Sequence, residues 1–416
     1  MFISAGEASA PPVLFCAAWN FRYDVFLPMK NILLQVRSVI TPQGEISGAG
    51  LLFRDGVIEA VGPRSGMSLP AGAQEILATD KIAVPGFIDV HIHGAGGHDV
   101  MEGTPEAIST VARTVAAHGT TSFLATTVTA SPETTCRSVE SISQYIAAQH
   151  ATGEPRAEVL GIHFEGPFIN ILRRGVHPAE WIKPPSAELL DNFLRAARGN
   201  ARILTIAPEV FGAIPCIDAA RKAGLVVALG HTDATYEQAR LAIAHGARHA
   251  VHVYNAMRPF SHRDAGVIGA VLTSPEVTAE LIADGVHVDE PSMRLLLQAK
   301  GAERVILVSD GTSATGMPDG TYMLGTLEVT VSGGVCRNSE GKLAGSTLTL
   351  DRALRNIVAL GTPLADAVRM LTLNPASLLG IEFKKGALRA GADADVVLLD
   401  DSLHVTGVWT RGLAVN

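Results

Sequence analysis

Gly86-Phe87-Ile88-Asp89-Val90-His91-Ile92-His93 reads as a short apolar strand that ends in two histidines one residue apart. Side chains alternate faces along a strand, so His91 and His93 point the same way and make a natural pincer for a metal ion. Working outward, seven more strands are expected at residues 122–128, 159–165, 202–207, 225–230, 249–253, 277–282 and 305–310. Most intervals carry a helical pattern, as at 104–118, 132–150, 186–198, 213–223 and 235–245. Strands alternating with helices eight times in roughly 230 residues are the profile of an α/β protein, a (β/α)8 TIM barrel. A doubly wound open sheet is the alternative, but no G-x-G-x-x-G follows the first strand.

The flanks read differently. From Met29 the chain patterns as short strands, and Asp55-Gly56 between two apolar runs is a strong hairpin signal. The C-terminus returns to that style, with runs at 396–399 and 405–409. The expected organisation is therefore a loose extension at 1–28, a small β-sandwich assembled from 29–84 and 383–416, and a barrel at 85–382. A hairpin is expected after the eighth strand, at 327–331 and 333–345, followed by helical patterns at 347–360 and 364–379.

Composition narrows the function. Of 416 residues 47% are hydrophobic and 18% charged, which excludes a charge-solvated disordered chain. The net charge is −8 with no Lys/Arg cluster, so neither nucleic acid nor an anionic membrane is an expected partner. Cys16, Cys136, Cys216 and Cys336 are scattered without a C-x-x-C pair, which fits a reduced, cytoplasmic setting and argues against a thiolate zinc site. No apolar run approaches the ~18 residues of a membrane span. The run at 13–19 tempts a signal-peptide reading, but Glu7 precedes it and no Lys or Arg does.

Barrel enzymes place reactive groups at the C-terminal ends of their strands. There stand Glu165, His231, His252 and Asp310, beside His91 and His93. Each alone could pack or cap. Five strand ends converging on imidazole and carboxylate instead suggest a divalent metal, zinc or iron, with room for water. The other histidines are plainer: His118, His150 and His245 fall near expected helix C-termini, and His163 and His249 are wall residues.

The stretch from Pro85 to Gly94 resembles the opening strand of the amidohydrolase superfamily. The phrases at 163–168, 230–234, 252–257, 281–288 and 343–346 resemble one branch of it, the N-acetylglucosamine-6-phosphate deacetylases, from about residue 31 to the C-terminus. The resemblance implies that Glu165, His231 and His252 hold a metal, that His91 and His93 leave room for a second, and that Asp310 is the catalytic acid/base. It implies that His177 contacts the acetyl carbonyl, as a protonated imidazole that helps stabilise the oxyanion. Asn255, Ala256, Arg263 and His287 would hold the sugar phosphate. The implied partner is a phosphorylated N-acetyl amino sugar, and the implied assembly a homodimer. Residues 202–210 contain no lysine, which weakens a reading based on a carboxylated-lysine dinuclear centre. The alternatives are a deacetylase of N-acetylgalactosamine 6-phosphate, another amidohydrolase such as a deaminase, or a non-catalytic metabolite-binding relative.

Overall fold

A computed structural model describes residues 31–415. The expected extension at 1–28 and Cys16 lie outside them. Eight parallel strands form the barrel: β1 (Phe87–Ile92), β2 (Thr120–Thr127), β3 (Glu158–Glu165), β4 (Ala201–Ile206), β5 (Val226–Leu229), β6 (His249–Ala250), β7 (Thr278–Ile282) and β8 (Val305–Val308). Each pairs with its sequence neighbour in order, and nearly every residue in them is buried, because helices cover the outside while side chains fill the inside. The seam between β1 and β8 closes just beyond the strands. Asp310 N donates to the His91 carbonyl at 2.9 Å, and His93 N to that of Gly311 at 2.8 Å.

The helices start where the sequence supplies acceptors for their free N–H groups. Thr104, Ser131, Ser186, Thr235 and Asp289 each cap a helix, and proline occupies the first turn in three of the five. Two helices lack an expectation in the sequence, Gly266–Thr273 and Glu290–Lys300. The pattern at 364–379 is two helices, Leu364–Leu371 and Leu373–Leu378, parted at Thr372. The expected hairpin after β8 is a three-stranded antiparallel sheet, because Gly320–Leu324 adds a strand to Leu327–Ser332 and Val335–Asn338.

Strands from both ends of the chain share one eight-stranded sheet. Its path runs Leu413–Val415, Val405–Thr410, Val396–Leu399, Gln74–Pro85, Ile32–Thr41, Ala49–Arg54 and Val57–Pro63, with Gly44–Ser47 paired to Ile32–Thr41. Asp55 and Gly56, both at positive φ, make the tight turn that the sequence signals. The sheet curls around its own core, in which Leu34, Leu51, Phe53 and Ile58 pack with Val396 and Trp409. Gln74–Pro85 escapes the sequence reading because Asp80-Lys81 interrupts its apolar alternation. Where sheet meets barrel, the buried Lys385 Nζ lies 2.8 Å from Glu158, 3.0 Å from Asp393 and 2.8 Å from Asp395. Glu158 opens β3, so one ammonium ties the C-terminal segment to the floor of the barrel.

Candidate active site

Three barrel strands end earlier than their apolar runs. The chain turns out of the extended conformation where a polar side chain enters the barrel mouth: His231 after β5 at φ 47°, His252 after β6 at φ 27° and Asp310 after β8 at φ 50°. Side chains rarely adopt this region, and such backbones concentrate where function requires a fixed aim. Here the turn directs each side chain over the strand ends.

These side chains meet at Glu165. Its Oε1 lies 2.9 Å from His252 Nε2, 3.1 Å from His231 Nε2 and 3.2 Å from His91 Nε2. Its Oε2 lies 3.3 Å from His93 Nε2 and 3.4 Å from His177 Nε2. Asp310 Oδ1 stands 3.2 Å from His93 Nε2 and 3.7 Å from His91 Nε2. All seven residues are buried.

The outward nitrogens decide what the inward ones offer. His91 Nδ1 faces Glu280 Oε2 at 2.8 Å, His93 Nδ1 the Thr126 carbonyl at 3.1 Å, and His231 Nδ1 the Arg173 carbonyl at 2.9 Å. Each partner only accepts, so in the neutral ring each Nδ1 carries the proton and each Nε2 presents a lone pair to the cluster. His177 is reversed. Its Nδ1 accepts the Thr129 backbone N–H at 3.2 Å, so its Nε2 carries the proton. His252 Nδ1 is buried without a hydrogen-bond partner among the described residues.

Lone pairs aimed at carboxylate oxygens about 3 Å away repel unless positive charge lies between them. The charge balance agrees. Burial alone would keep His91 and His93 neutral, yet Glu280 and Glu165 raise His91 well above the ordinary imidazole range, and Asp310 and Glu165 lift His93 to about 10. Against the cost of burial, His91 and His231 hold Glu165 well below the usual carboxylate range, and His93 and His91 lower Asp310. The pocket demands cations, and a divalent ion fits this donor set. Among the described residues four groupings place single ligand atoms within 4.8 Å of one another: His91, His93 and Asp310; His91, Glu165 and His252; His91, His163 and Glu280; Glu165, His177 and His231. His177 differs from the expectation. Burial pushes its imidazole down to about 4, so it is neutral near pH 7 and offers a neutral N–H rather than a charged one.

The residues expected to hold the sugar phosphate are more dispersed. Asn255 is half-buried beside the cluster, its Nδ2 without a partner among the described residues. Ala256 sits at φ 51° and its carbonyl accepts Thr232 N at 3.1 Å. His287 Nδ1 bonds Asp284 Oδ2 at 2.7 Å and borders a cavity of about 230 Å³ with Cys336, Ser346 and Arg352. Arg263 is exposed in a turn, where its backbone N–H donates to Ser261 Oγ at 3.4 Å.

Two carboxylates at the site escaped the sequence reading. Glu280 lies in the middle of β7, fully buried, and a charge inside an apolar barrel strand was the signal for it. Glu209 follows β4, accepts from Asp233 N at 2.6 Å and Asn170 Nδ2 at 2.7 Å, and bonds the Thr232 hydroxyl, which fixes the turn after His231.

The chain matches the Amidohydrolase family over residues 82–415. It is 38% identical over 381 residues to N-acetylgalactosamine-6-phosphate deacetylase of Escherichia coli O157:H7, covering 91% of this chain and 98% of that one. It is 38% identical over 366 residues to N-acetylglucosamine-6-phosphate deacetylase of Vibrio furnissii, covering 87% and 89%. The crystal structure of N-acetyl-D-glucosamine-6-phosphate deacetylase from Mycobacterium smegmatis superposes with a TM-score of 0.86 at 37% identity, covering 92% of this chain and 100% of that one. Likeness that runs through both the barrel and the terminal sheet at such identity reflects common descent, and the chain belongs to the amidohydrolase family.

Proposed function

We propose that the protein is a metal-dependent deacetylase that hydrolyses N-acetyl-D-glucosamine 6-phosphate to D-glucosamine 6-phosphate and acetate. The observation that carries this reading is the convergence of three imidazole lone pairs and two carboxylates, Glu165 and Asp310, beside a neutral imidazole N–H. In the proposal Glu165, His231 and His252 hold one divalent ion, zinc or iron, and His91 and His93 a second. When bound, such an ion lowers the pKa of water and polarises a carbonyl. Asp310, an unprotonated carboxylate at neutral pH, takes the proton of the attacking water and returns it to the departing amine. His177 donates its Nε2–H to the acetyl oxygen as negative charge develops there, and being neutral it does not compete for the cation site. In the proposal Asn255, the Ala256 backbone and His287 hold the phosphorylated sugar, and the exposed Arg263 reaches its phosphate.

The relative from E. coli O157:H7 supports a second reading, in which the substrate is N-acetylgalactosamine 6-phosphate. The two sugars differ at one hydroxyl. Acetate release is to be measured on both, with and without the 6-phosphate, in protein of known metal content. Turnover confined to the galacto sugar selects the second reading, and no release from any N-acetyl amino sugar rejects both. A homodimer and a cytoplasmic location accompany the proposal on the strength of the resemblance, and sedimentation of the purified chain tests the first. Elemental analysis tests the metal count. Two ions per chain, falling to one in a His91→Ala/His93→Ala double variant, are expected.

A further inference from the structure

Glu280 touches both sides of the cluster. Its Oε2 accepts from His91 Nδ1 at 2.8 Å and from the backbone N–H of His252 at 3.0 Å, while its Oε1 lies 2.9 Å from His249 Nε2. Its own carbonyl accepts Val253 N at 3.0 Å. The carboxylate is fully buried, as are His91 and His249. His91 comes from β1, which only β8 separates from β7 in the closed barrel, and His252 from the turn after β6 at φ 27°. One oxygen therefore fixes which nitrogen of His91 faces inward and pins the strained backbone that aims His252.

We propose that Glu280 is the positioning residue of the metal centre: its negative charge holds His91 with Nε2 inward and strengthens that imidazole as a ligand, while the same oxygen pins the backbone that aims His252. The inference rests on the reading of those histidines as metal-facing. An imidazole that donates its outer N–H to a carboxylate is held in one tautomer and is a better ligand, and loss of such a partner commonly weakens metal binding by ~10–100-fold.

The surroundings supply a conservative variant. In Glu280→Gln the amide oxygen can still face His91 and His252, and the amide N–H₂ can face His249. His249 then needs its proton on Nδ1, where it can donate to Thr278 Oγ1, 2.7 Å away, and the threonine hydroxyl can pass its own proton to the Arg248 carbonyl at 3.2 Å. The glutamine thus keeps every contact and removes only the charge, whereas Glu280→Ala removes the contacts as well.

Wild type, Glu280→Gln and Glu280→Ala are to be stripped of metal, melted, and then titrated with zinc against a chromophoric chelator. The expected result for Glu280→Gln is a stripped melting temperature near wild type and zinc affinity reduced by ~10–100-fold. Glu280→Ala should bind more weakly still, and if it fails to fold the glutamine variant carries the test alone. Wild-type zinc affinity and stoichiometry in Glu280→Gln would overturn the proposal, whatever its melting temperature. No substrate enters the titration, so absence of acetate release would reject the deacetylase reading and leave this result standing.

Discussion

His177 presents a proton where His91, His93 and His231 present lone pairs, and no sequence pattern distinguishes the two. The difference comes from the second ring nitrogen: a carbonyl or carboxylate beyond it in three cases, a backbone N–H in the fourth. The sequence reading thus names side chains that meet around Glu165 but gives His177 a charge that burial denies it. With a pKa of about 4, His177 should contribute no change in kcat/KM between about pH 5.5 and 8, so a rate limb near 6.5 that vanishes in His177→Gln would contradict its assignment as a neutral donor. His177→Ala should retain metal and lose ~10²–10³ in kcat, in line with removal of one oxyanion donor. At Asp310 the near-isosteric Asp310→Asn cannot take a proton, and kcat should fall by ~10²–10⁴ with metal still bound. Steady-state rates of acetate release beside elemental analysis check both variants.

At the scale of elements, all eight barrel strands are visible in the sequence because each is a buried apolar run. Their ends are less so. The reading extends β6 to Val253 and β8 to Asp310, but both strands stop short where His252 and Asp310 turn left-handed, and apolar patterning carries no trace of that turn. The helix Gly266–Thr273 is hidden for the opposite reason: six of its eight residues are buried, so no polar face gives it a period. The turn carrying Asp310 is stitched to the loop after the three-stranded sheet, by Ser346 N to the Asp310 carbonyl at 2.8 Å and Thr312 N to the Ser346 carbonyl at 3.1 Å. Gly345 is the hinge of that stitch. It sits at φ 59°, and a Cβ there would meet Thr312 Cγ2 at 2.5 Å and the Asp310 carbonyl at 2.9 Å. Gly345→Ala should therefore displace Asp310, lowering kcat by ~10²-fold and stability by ~1–3 kcal/mol, with metal stoichiometry unchanged. A variant with wild-type kcat would show that the stitch does not set the position of Asp310.

For the whole molecule, the terminal sheet and the barrel depend on one buried cation. Lys385→Met would leave Glu158, Asp393 and Asp395 facing one another without the ammonium they share, and a loss of ~3–5 kcal/mol in denaturant unfolding is expected. In the wild type, burial works against the Glu158 carboxylate but Lys385 and His150 hold it below the usual range. Its contribution is thus complete above the ordinary carboxylate pKa and fades only as acid titrates the lowered one. In the variant, protons would replace the missing ammonium, so its deficit should shrink as pH falls from 7 toward 4; a deficit independent of pH would point to lost packing instead. The same scale includes the seam between first and last barrel strands, where the bonds that close the cylinder include those of the His93 and Asp310 amides. Those two N–H groups are consequently a built-in gauge of breathing. In hydrogen–deuterium exchange they should swap only when the wall parts, and they should slow in concert once an ion draws the two strand ends together.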